Sequence, residues 1–437
     1  MRVLLINPCY PYGNDRNVGP EQVFAPPLGL ASIASVLRQN GHDVRILDMP
    51  AKAIRPQGVS AFIRDFAPHL VGISDNLSFT RGSSIEVARA VKEASKDIPV
   101  VFGGNDATFS YESILAGSPE VDFVLRYEGE YTMLELARQL EAERSVSSCA
   151  GLAYRANEAT IELNEEAPKI SNLDALPLPA CDLLPMSSYR GTAGFIVTSR
   201  GCPFRCAYCS TSTFNGRKYR AMSPRRVIEE VEHLIREYGV RDISFGDDTY
   251  TLKRERVVAI CEEINRRKLD IRWTANTRVD LVDYDLLRLM RRAGCNTLLF
   301  GIESSSQEVL DRIQKGFRIG EARQAIQWCR NLGIRVTECF IIGLPGETSE
   351  SAGRIVDFIS ENPADVLSLG ILALYPGSSL YEESNRFGIK ILGYEPAKLE
   401  QRLPRFATAW MSKETILKSY VELVIVLSER SLYKVRD

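Results

Sequence analysis

Three cysteines, Cys202, Cys206 and Cys209, lie within eight residues of the stretch TSRGCPFRCAYCS, Thr198 to Ser210. Thiolates spaced C-x₃-C-x₂-C converge on one metal centre only where the chain loops around it. The preceding run FIVTSR, Phe195 to Arg200, reads as a buried strand, and Gly201 and Pro203 break it. The loop therefore follows the C-terminal end of a strand, where open α/β sheets and barrels bind ligands. A structural zinc takes four protein ligands. No fourth cysteine or histidine is near, since Cys181 is the nearest upstream thiol and Cys261 lies far downstream. A cubane iron–sulfur cluster also takes four ligands. Held by three, it keeps one iron open to a small molecule, as a catalytic zinc keeps an open position. A zinc knuckle and three unrelated core thiols are the blander readings.

The elements around this loop alternate. Residues 190–385 read as six strands, at FIVTSR, DISFGDD, IRWTANTR, TLLFGIES, RVTECFIIGLPG and VLSLGILALYPG, with helices between them. PRRVIEEVEHLIREYG is the best marked helix, with Ser223 to cap it, Pro224 in its first turn and Gly239 to end it. A closed eight-stranded barrel needs about 250 residues, so the expectation is a partial, six-stranded β/α barrel. Its strand ends gather polar residues: Asp247 and Asp248, Asn276 and Arg278, Glu303 and Ser304, then Gly343, Pro345, Gly346 and Glu347. All would share one mouth with the thiols.

Residues 1–145 alternate too, with strands at VLLINP, DVRILD, LVGIS, VVFGG and VDFVLR. That pattern gives a doubly wound, Rossmann-like parallel sheet. Its C-terminal strand ends are Asn7, Asp48, Ser74-Asp75-Asn76, Gly103-Gly104-Asn105 and Tyr127-Glu128-Gly129-Glu130. Small, polar and glycine-rich, they suit backbone approach to a large flat or phosphate-bearing ligand. GxGxxG is absent, so a dinucleotide site has no fingerprint. Residues 146–189 read as a hairpin around Ala156-Asn157-Glu158 and a proline-rich linker, DALPLPACDLLP. Residues 386–437 read as a mixed, helical region. Its helix KETILKSYVELVIVLSER, with Tyr394, Phe406 and Trp410, could close the barrel or line a substrate pocket.

Cys-x₃-Cys-x-aromatic-Cys, with Tyr208 as the aromatic, resembles the cluster loop of the radical S-adenosylmethionine enzymes. The resemblance implies a [4Fe–4S] cluster whose open iron chelates the amino and carboxylate groups of S-adenosylmethionine. It implies reductive cleavage to a 5′-deoxyadenosyl radical, which abstracts a hydrogen atom. It also implies a flavodoxin or ferredoxin as electron donor. By the same resemblance Asp247, with Asp248, would meet the ammonium of S-adenosylmethionine, although Phe-Gly-Asp-Asp departs from the family's usual Gly-Gly-Glu. Glu303 would take the ribose, and Arg278 and Lys315 the carboxylate. Tyr208 and the Ile342–Pro345 backbone would frame the adenine, with Asn276, Ser304 and Gly343 beside them.

VGIS, VVFGGNDAT and VDFVLRYEGEYTMLEL resemble, in order, the cobalamin-binding domain of the cobalamin-dependent members of that family. Asn7, Ser74, Asp75, Asn76, Gly103, Gly104, Asn105, Tyr127, Glu128 and Gly129 are then the cobalamin candidates. The Asp-x-His-x-x-Gly motif of the classical cobalamin domains is absent. The three histidines, His42, His69 and His233, read as turn or surface residues, so no histidine is expected below the cobalt. The resemblance covers residues 1 to about 385. It implies a C-methyltransferase acting on an unactivated carbon of a small molecule: one S-adenosylmethionine remethylates cobalamin, and a second gives the radical.

Composition sets the outer bounds. The chain of 437 residues is 45% hydrophobic and 25% charged with a formal net charge of −2, which gives no general affinity for nucleic acid or anionic membrane. No window is apolar enough to span a bilayer, and MRVLLINP reads as a first strand rather than a signal peptide. The expectation is a cytoplasmic enzyme. Cys9, Cys149, Cys181, Cys261, Cys295, Cys329 and Cys339 mostly sit in apolar runs and read as buried free thiols. Two readings compete with methyl transfer. One is a radical rearrangement, cyclisation, oxidation or methylthio transfer. The other is a non-catalytic metal or cobalamin carrier.

Overall fold

The computed structural model describes residues 1–9, 25–157, 160–189, 191–393 and 403–430. Glu158 and Tyr394, named above, lie outside the described residues. The chain divides into two units, one running from Met1 to Ala193 and the other beginning at Gly194.

The first unit is a seven-stranded sheet. Its strands are β1 (Arg2–Asn7), β2 (Asp43–Asp48), β3 (Leu70–Ser74), β4 (Val100–Gly103), β5 (Phe123–Leu125), β6 (Leu152–Asn157) and β7 (Thr160–Leu163). They lie in the order β2-β1-β3-β4-β5-β6-β7. The first five are parallel, with Val3 opposite both Val44 and Leu70, and Val71 opposite Val100. Buried on both faces, they read as continuous apolar runs. Leu4, Ile6, Val71, Ile73, Val100 and Phe102 form their core with Val87 and Val91 of helix Arg81–Ala94. The order 2-1-3-4-5 places a topological switch point between β1 and β3, where ligands of such sheets bind. The hairpin β6–β7 adds to the far edge antiparallel, Phe123 opposite Tyr154.

The proline-rich segment belongs to the same unit. The Ala180 N–H donates to the Ala31 carbonyl, and the Tyr189 hydroxyl donates to Asp48 Oδ2 at the end of β2. Three short 3₁₀ turns, beginning at Leu173, Cys181 and Met186, give it local structure despite its prolines.

In the second unit six parallel strands stand in chain order: β8 (Gly194–Ile196), β11 (Asp242–Phe245), β12 (Arg272–Thr277), β13 (Cys295–Glu303), β14 (Arg335–Ile342) and β15 (Val366–Ile371). Helices connect β11 to β15 in succession, and β8 and β15 do not pair. This is the expected open, partial form of a β/α barrel. On one face Ile243, Phe245, Trp273, Ala275, Leu298, Phe300, Val336 and Phe340 are buried. The other face carries Ser244, Thr274, Asn276, Leu299, Gly301, Cys339 and Ser368, all less enclosed. Ser223 caps helix Pro224–Tyr238, accepting the Arg226 N–H, and Gly239 ends it at φ 65°.

One sequence expectation is corrected here. The run Phe195–Arg200 is not one strand. After Ile196 the chain leaves the sheet, and β9 (Ser199–Arg200) pairs instead with β10 (Arg220–Ala221). The reason is Asp247, whose Oδ1 accepts the N–H groups of Thr198 and Ser199, donors that a continuing strand would give to its ladder. The C-terminal region, read from sequence as mixed and helical, ends in a long helix as expected. It contains an antiparallel pair, β16 (Ile389–Ile391) and β17 (Phe406–Thr408), before helix Lys413–Glu429.

Candidate functional site

The thiol loop is pinned from both sides through Ala207, which is fully buried. Its N–H donates to the Ile313 carbonyl, and its carbonyl accepts from Leu380. The Cys209 N–H closes a tight turn onto the Cys206 carbonyl at 3.1 Å. Cys202, Cys206 and Cys209 are free and half-buried. Thr249 Oγ1 lies 3.5 Å from the Cys202 sulfur, and Arg278 NH1 donates to the Cys206 sulfur at 3.8 Å. Burial pushes the Cys209 thiol up, the N–H groups of Ser212 and Thr211 pull it down, and neighbouring Cys206 pushes it up. Among the described residues no three ligands are spaced for a single metal ion. Three separate, unoxidised thiols on one loop suit a polynuclear cluster, in which each thiolate takes a different iron.

Around the thiols the aromatic of the loop joins a buried ion pair. The Tyr208 hydroxyl donates to Glu303 Oε1 at 2.9 Å. Lys315 Nζ donates to both, at 2.8 and 2.9 Å. Glu303 holds a left-handed backbone, φ 69°, at the end of β13. Gly301 makes room for the pair: a Cβ there would strike Glu303 Oε1 and come within 3.1 Å of Lys315 Nζ. Asn276 is exposed although it lies on the central strand β12, so the polar face is open at that point. Ile342, which ends β14, and Gly343 and Pro345 in the turn after it are buried, and there the Gly343 N–H donates to Glu347 Oε2 at 2.6 Å. Glu347 is fully buried, and that burial raises its carboxyl to about 8 against the pull of the Gly343 and Leu344 N–H groups.

Three expected ligand groups prove to be internal. Asp247 is fully buried, and its two oxygens accept four hydrogen bonds, from the backbone and hydroxyls of Thr198 and Ser199, with Arg256 NH1 at 3.8 Å. It ties the base of the loop and leaves no lone pair facing the mouth. Its neighbour Asp248 is the exposed one, accepting the Gly201 N–H at 3.1 Å. Ser304 is fully buried, accepting the Ser306 N–H. Arg278 is 5% exposed and grips Asp280 with two nitrogens, each at 2.9 Å. Sequence reasoning missed Asp280 and Arg256 as supports; the spacing Arg-x-Asp was the available signal for the first, while Glu347, expected at the mouth, is buried beneath the turn instead. Phe406 is buried beneath Gly343, and Trp410 stacks under the Arg312 guanidinium at 4.6 Å, so neither stands free.

In the first unit the strand ends form a second polar rim. Asn7 is half-buried and donates to Asp48. Ser74 accepts from Asn76, which is exposed. Gly103, Gly104, Asn105, Tyr127, Glu128 and Gly129 are half-buried. Gly104, at φ 123°, packs where any Cβ would strike Asn76 Oδ1. Asp75 is again internal: it is fully enclosed, it accepts from Ser84, and it lies beside the buried pair of Arg81 and Asp106. Burial, then the Asp106 charge, pushes its carboxyl well up. Glu128 accepts the Ile170 N–H. His42, which is buried rather than at the surface, and His69 both precede their strands, at the edge of the sheet opposite this rim. His233 sits on a helix of the other unit.

Comparison with known proteins places both sites in context. Residues 196–359 match the radical SAM superfamily and residues 22–137 match the B12 binding domain. The chain is 37% identical over 385 residues to an uncharacterized methyltransferase of Pyrococcus horikoshii, covering 87% of this chain and 83% of that one. It is 31% identical over 399 residues to an anaerobic magnesium-protoporphyrin IX monomethyl ester cyclase of Rubrivivax gelatinosus, covering 88% and 70%. Its fold is like that of the radical S-adenosylmethionine methyltransferase TsrM from Kitasatospora setae, solved with cobalamin and a [4Fe-4S] cluster. The TM-score is 0.78 at 20% identity, covering 99% of this chain and 89% of that one.

Proposed function

The chain belongs to the radical S-adenosylmethionine superfamily, among members with an N-terminal B12-binding domain, and from that membership we propose a cobalamin-dependent methyltransferase acting on an unactivated carbon of a small molecule. The observation that carries this reading is the loop of three free thiols at the strand ends of an open β/α sheet, bordered by Tyr208, Glu303 and Lys315. When bound, the cluster supplies the electron that cleaves S-adenosylmethionine and cobalamin carries the methyl group. The protein positions and shields.

Cys202, Cys206 and Cys209 would hold the cluster and leave one iron for the amino and carboxylate groups of S-adenosylmethionine. Asp248, exposed beside the loop, takes the ammonium role in place of buried Asp247. Glu303, oriented by Tyr208 and Lys315, accepts from the ribose hydroxyls. Tyr208 and the turn Ile342–Pro345 frame the adenine, and Asn276 faces the bound ligand across the open side of the sheet. In the first unit Asn76, Gly104, Asn105, Tyr127 and Gly129 border the cobalamin, with Asn7, Ser74, Gly103 and Glu128 behind them.

A second reading keeps the radical and drops methyl transfer, and the cyclase among the relatives favours keeping it in the test. Anaerobic reconstitution with iron, sulfide and cobalamin, followed by assay against candidate substrates with a low-potential flavodoxin or ferredoxin, separates the two. Methyl transfer yields 5′-deoxyadenosine and S-adenosylhomocysteine together. 5′-Deoxyadenosine alone supports the cyclase-like chemistry. Bound zinc in place of iron would refute both.

A further inference from the structure

Arg278 is not an open ligand group but a buried cation aimed at a cluster ligand. Its Nε and NH2 bind the two oxygens of Asp280 at 2.9 Å each. Its third nitrogen, NH1, donates to the Cys206 sulfur at 3.8 Å. The guanidinium lies 3.7 Å from the centroid of the Phe204 ring, part of the thiol loop itself, and 5.5 Å from that of Phe317. The Arg278 and Asp280 side chains are 6% and 17% exposed. Two aromatic rings and a bidentate carboxylate thus fix the guanidinium and keep bulk water from screening it.

We propose that Arg278, oriented by Asp280, is a positioning residue that raises the reduction potential of the cluster. This rests on the reading of Cys202, Cys206 and Cys209 as cluster ligands. The step it acts on is transfer of one electron to the cluster from an external low-potential carrier, with no bond formed or broken in the protein. A thiolate-ligated cluster becomes more negative when reduced. A fixed cation and an N–H donor at one of its sulfurs therefore stabilise the reduced state more than the oxidised state. Asp280 opposes part of that effect with its own charge while it holds the fork in place. Because the site is enclosed, both influences act through a low dielectric and little salt screening.

The opposite charges give the test a sign. The full chain is reconstituted anaerobically without S-adenosylmethionine, iron and sulfide are counted, and the cluster is titrated potentiometrically by electron paramagnetic resonance. Arg278→Gln is expected to lower the equilibrium constant for reduction about tenfold, which is about 59 mV for a one-electron couple. Arg278→Lys, which keeps the charge, recovers most of that loss. Asp280→Asn moves the potential in the opposite direction to Arg278→Gln. If Arg278→Gln fails to load iron, Asp280→Asn decides the matter alone. Loaded variants that all titrate within twofold of the parent overturn the proposal, even if Arg278→Gln weakens S-adenosylmethionine binding. A parent chain that takes up no cluster overturns the reading on which the proposal rests, and the two failures are distinct.

Discussion

A single carboxyl can be read only with its surroundings. Glu338 lies on β14, fully buried, and neither of its oxygens has a hydrogen-bond partner. Burial alone raises its carboxyl to about 8. In the unfolded chain a glutamate titrates near about 4.3. The folded state therefore binds the proton more tightly, and the stability this lends is complete below the unfolded value and lost as pH rises towards 8. Glu338→Gln is expected to flatten the pH dependence of the urea midpoint between about pH 5 and 8. It should stabilise the protein by about 1–3 kcal/mol at the alkaline end. An unchanged slope would show that Glu338 ionises freely. Gly301 makes a separate test of the Tyr208–Glu303–Lys315 group. Gly301→Ala puts a methyl against both charged ends, so S-adenosylmethionine affinity should fall about tenfold, near 1.4 kcal/mol, with iron content unchanged. Calorimetry on the reconstituted protein reads that difference.

Elements position the site through a few buried ties. Asp247, at the end of β11, replaces the ladder partners of Thr198 and Ser199 and so turns the chain out of β8 into the thiol loop. Burial pushes its carboxyl up, while Arg256, the Ser199 and Thr198 hydroxyls and the Thr198 N–H pull it down. Asp247→Ala orphans those donors and the Arg256 charge, and a loss of about 3–5 kcal/mol is expected by urea unfolding, together with failure to retain iron. The turn after β14 rests on the C-terminal elements instead. A Cβ at Gly343 would come within 3.1 Å of both Phe406 and Ile416, from β17 and helix Lys413–Glu429. Phe406→Ala leaves a cavity there at a cost of about 3–5 kcal/mol. Its signature would be a fall in thermal midpoint with cluster absorbance intact.

At the scale of the whole molecule the chain comprises two units with separate sheets. The thiols lie in one and the candidate cobalamin rim in the other. Cys206→Ala should therefore lose iron and all 5′-deoxyadenosine formation yet bind hydroxocobalamin with unaltered affinity, read by the absorbance that co-elutes on gel filtration. Loss of cobalamin binding in that variant would refute the independence of the two sites. Among the described residues no helix is long and apolar enough to cross a membrane. What the sequence determined by itself was local: the thiol spacing, the strand–helix alternation of both units, and the caps Ser223 and Gly239. Each is written within a turn or a period of the chain. What only the tertiary structure decided was which of two adjacent aspartates is open, and which arginine points at a sulfur. Asp247 and Asp248 are alike in sequence, but successive residues leave a strand on opposite sides, and the hydroxyls that saturate Asp247 come from 48 and 49 positions away. Partners and burial of charged groups are set by the register of strands distant in the chain, which no short-range pattern records.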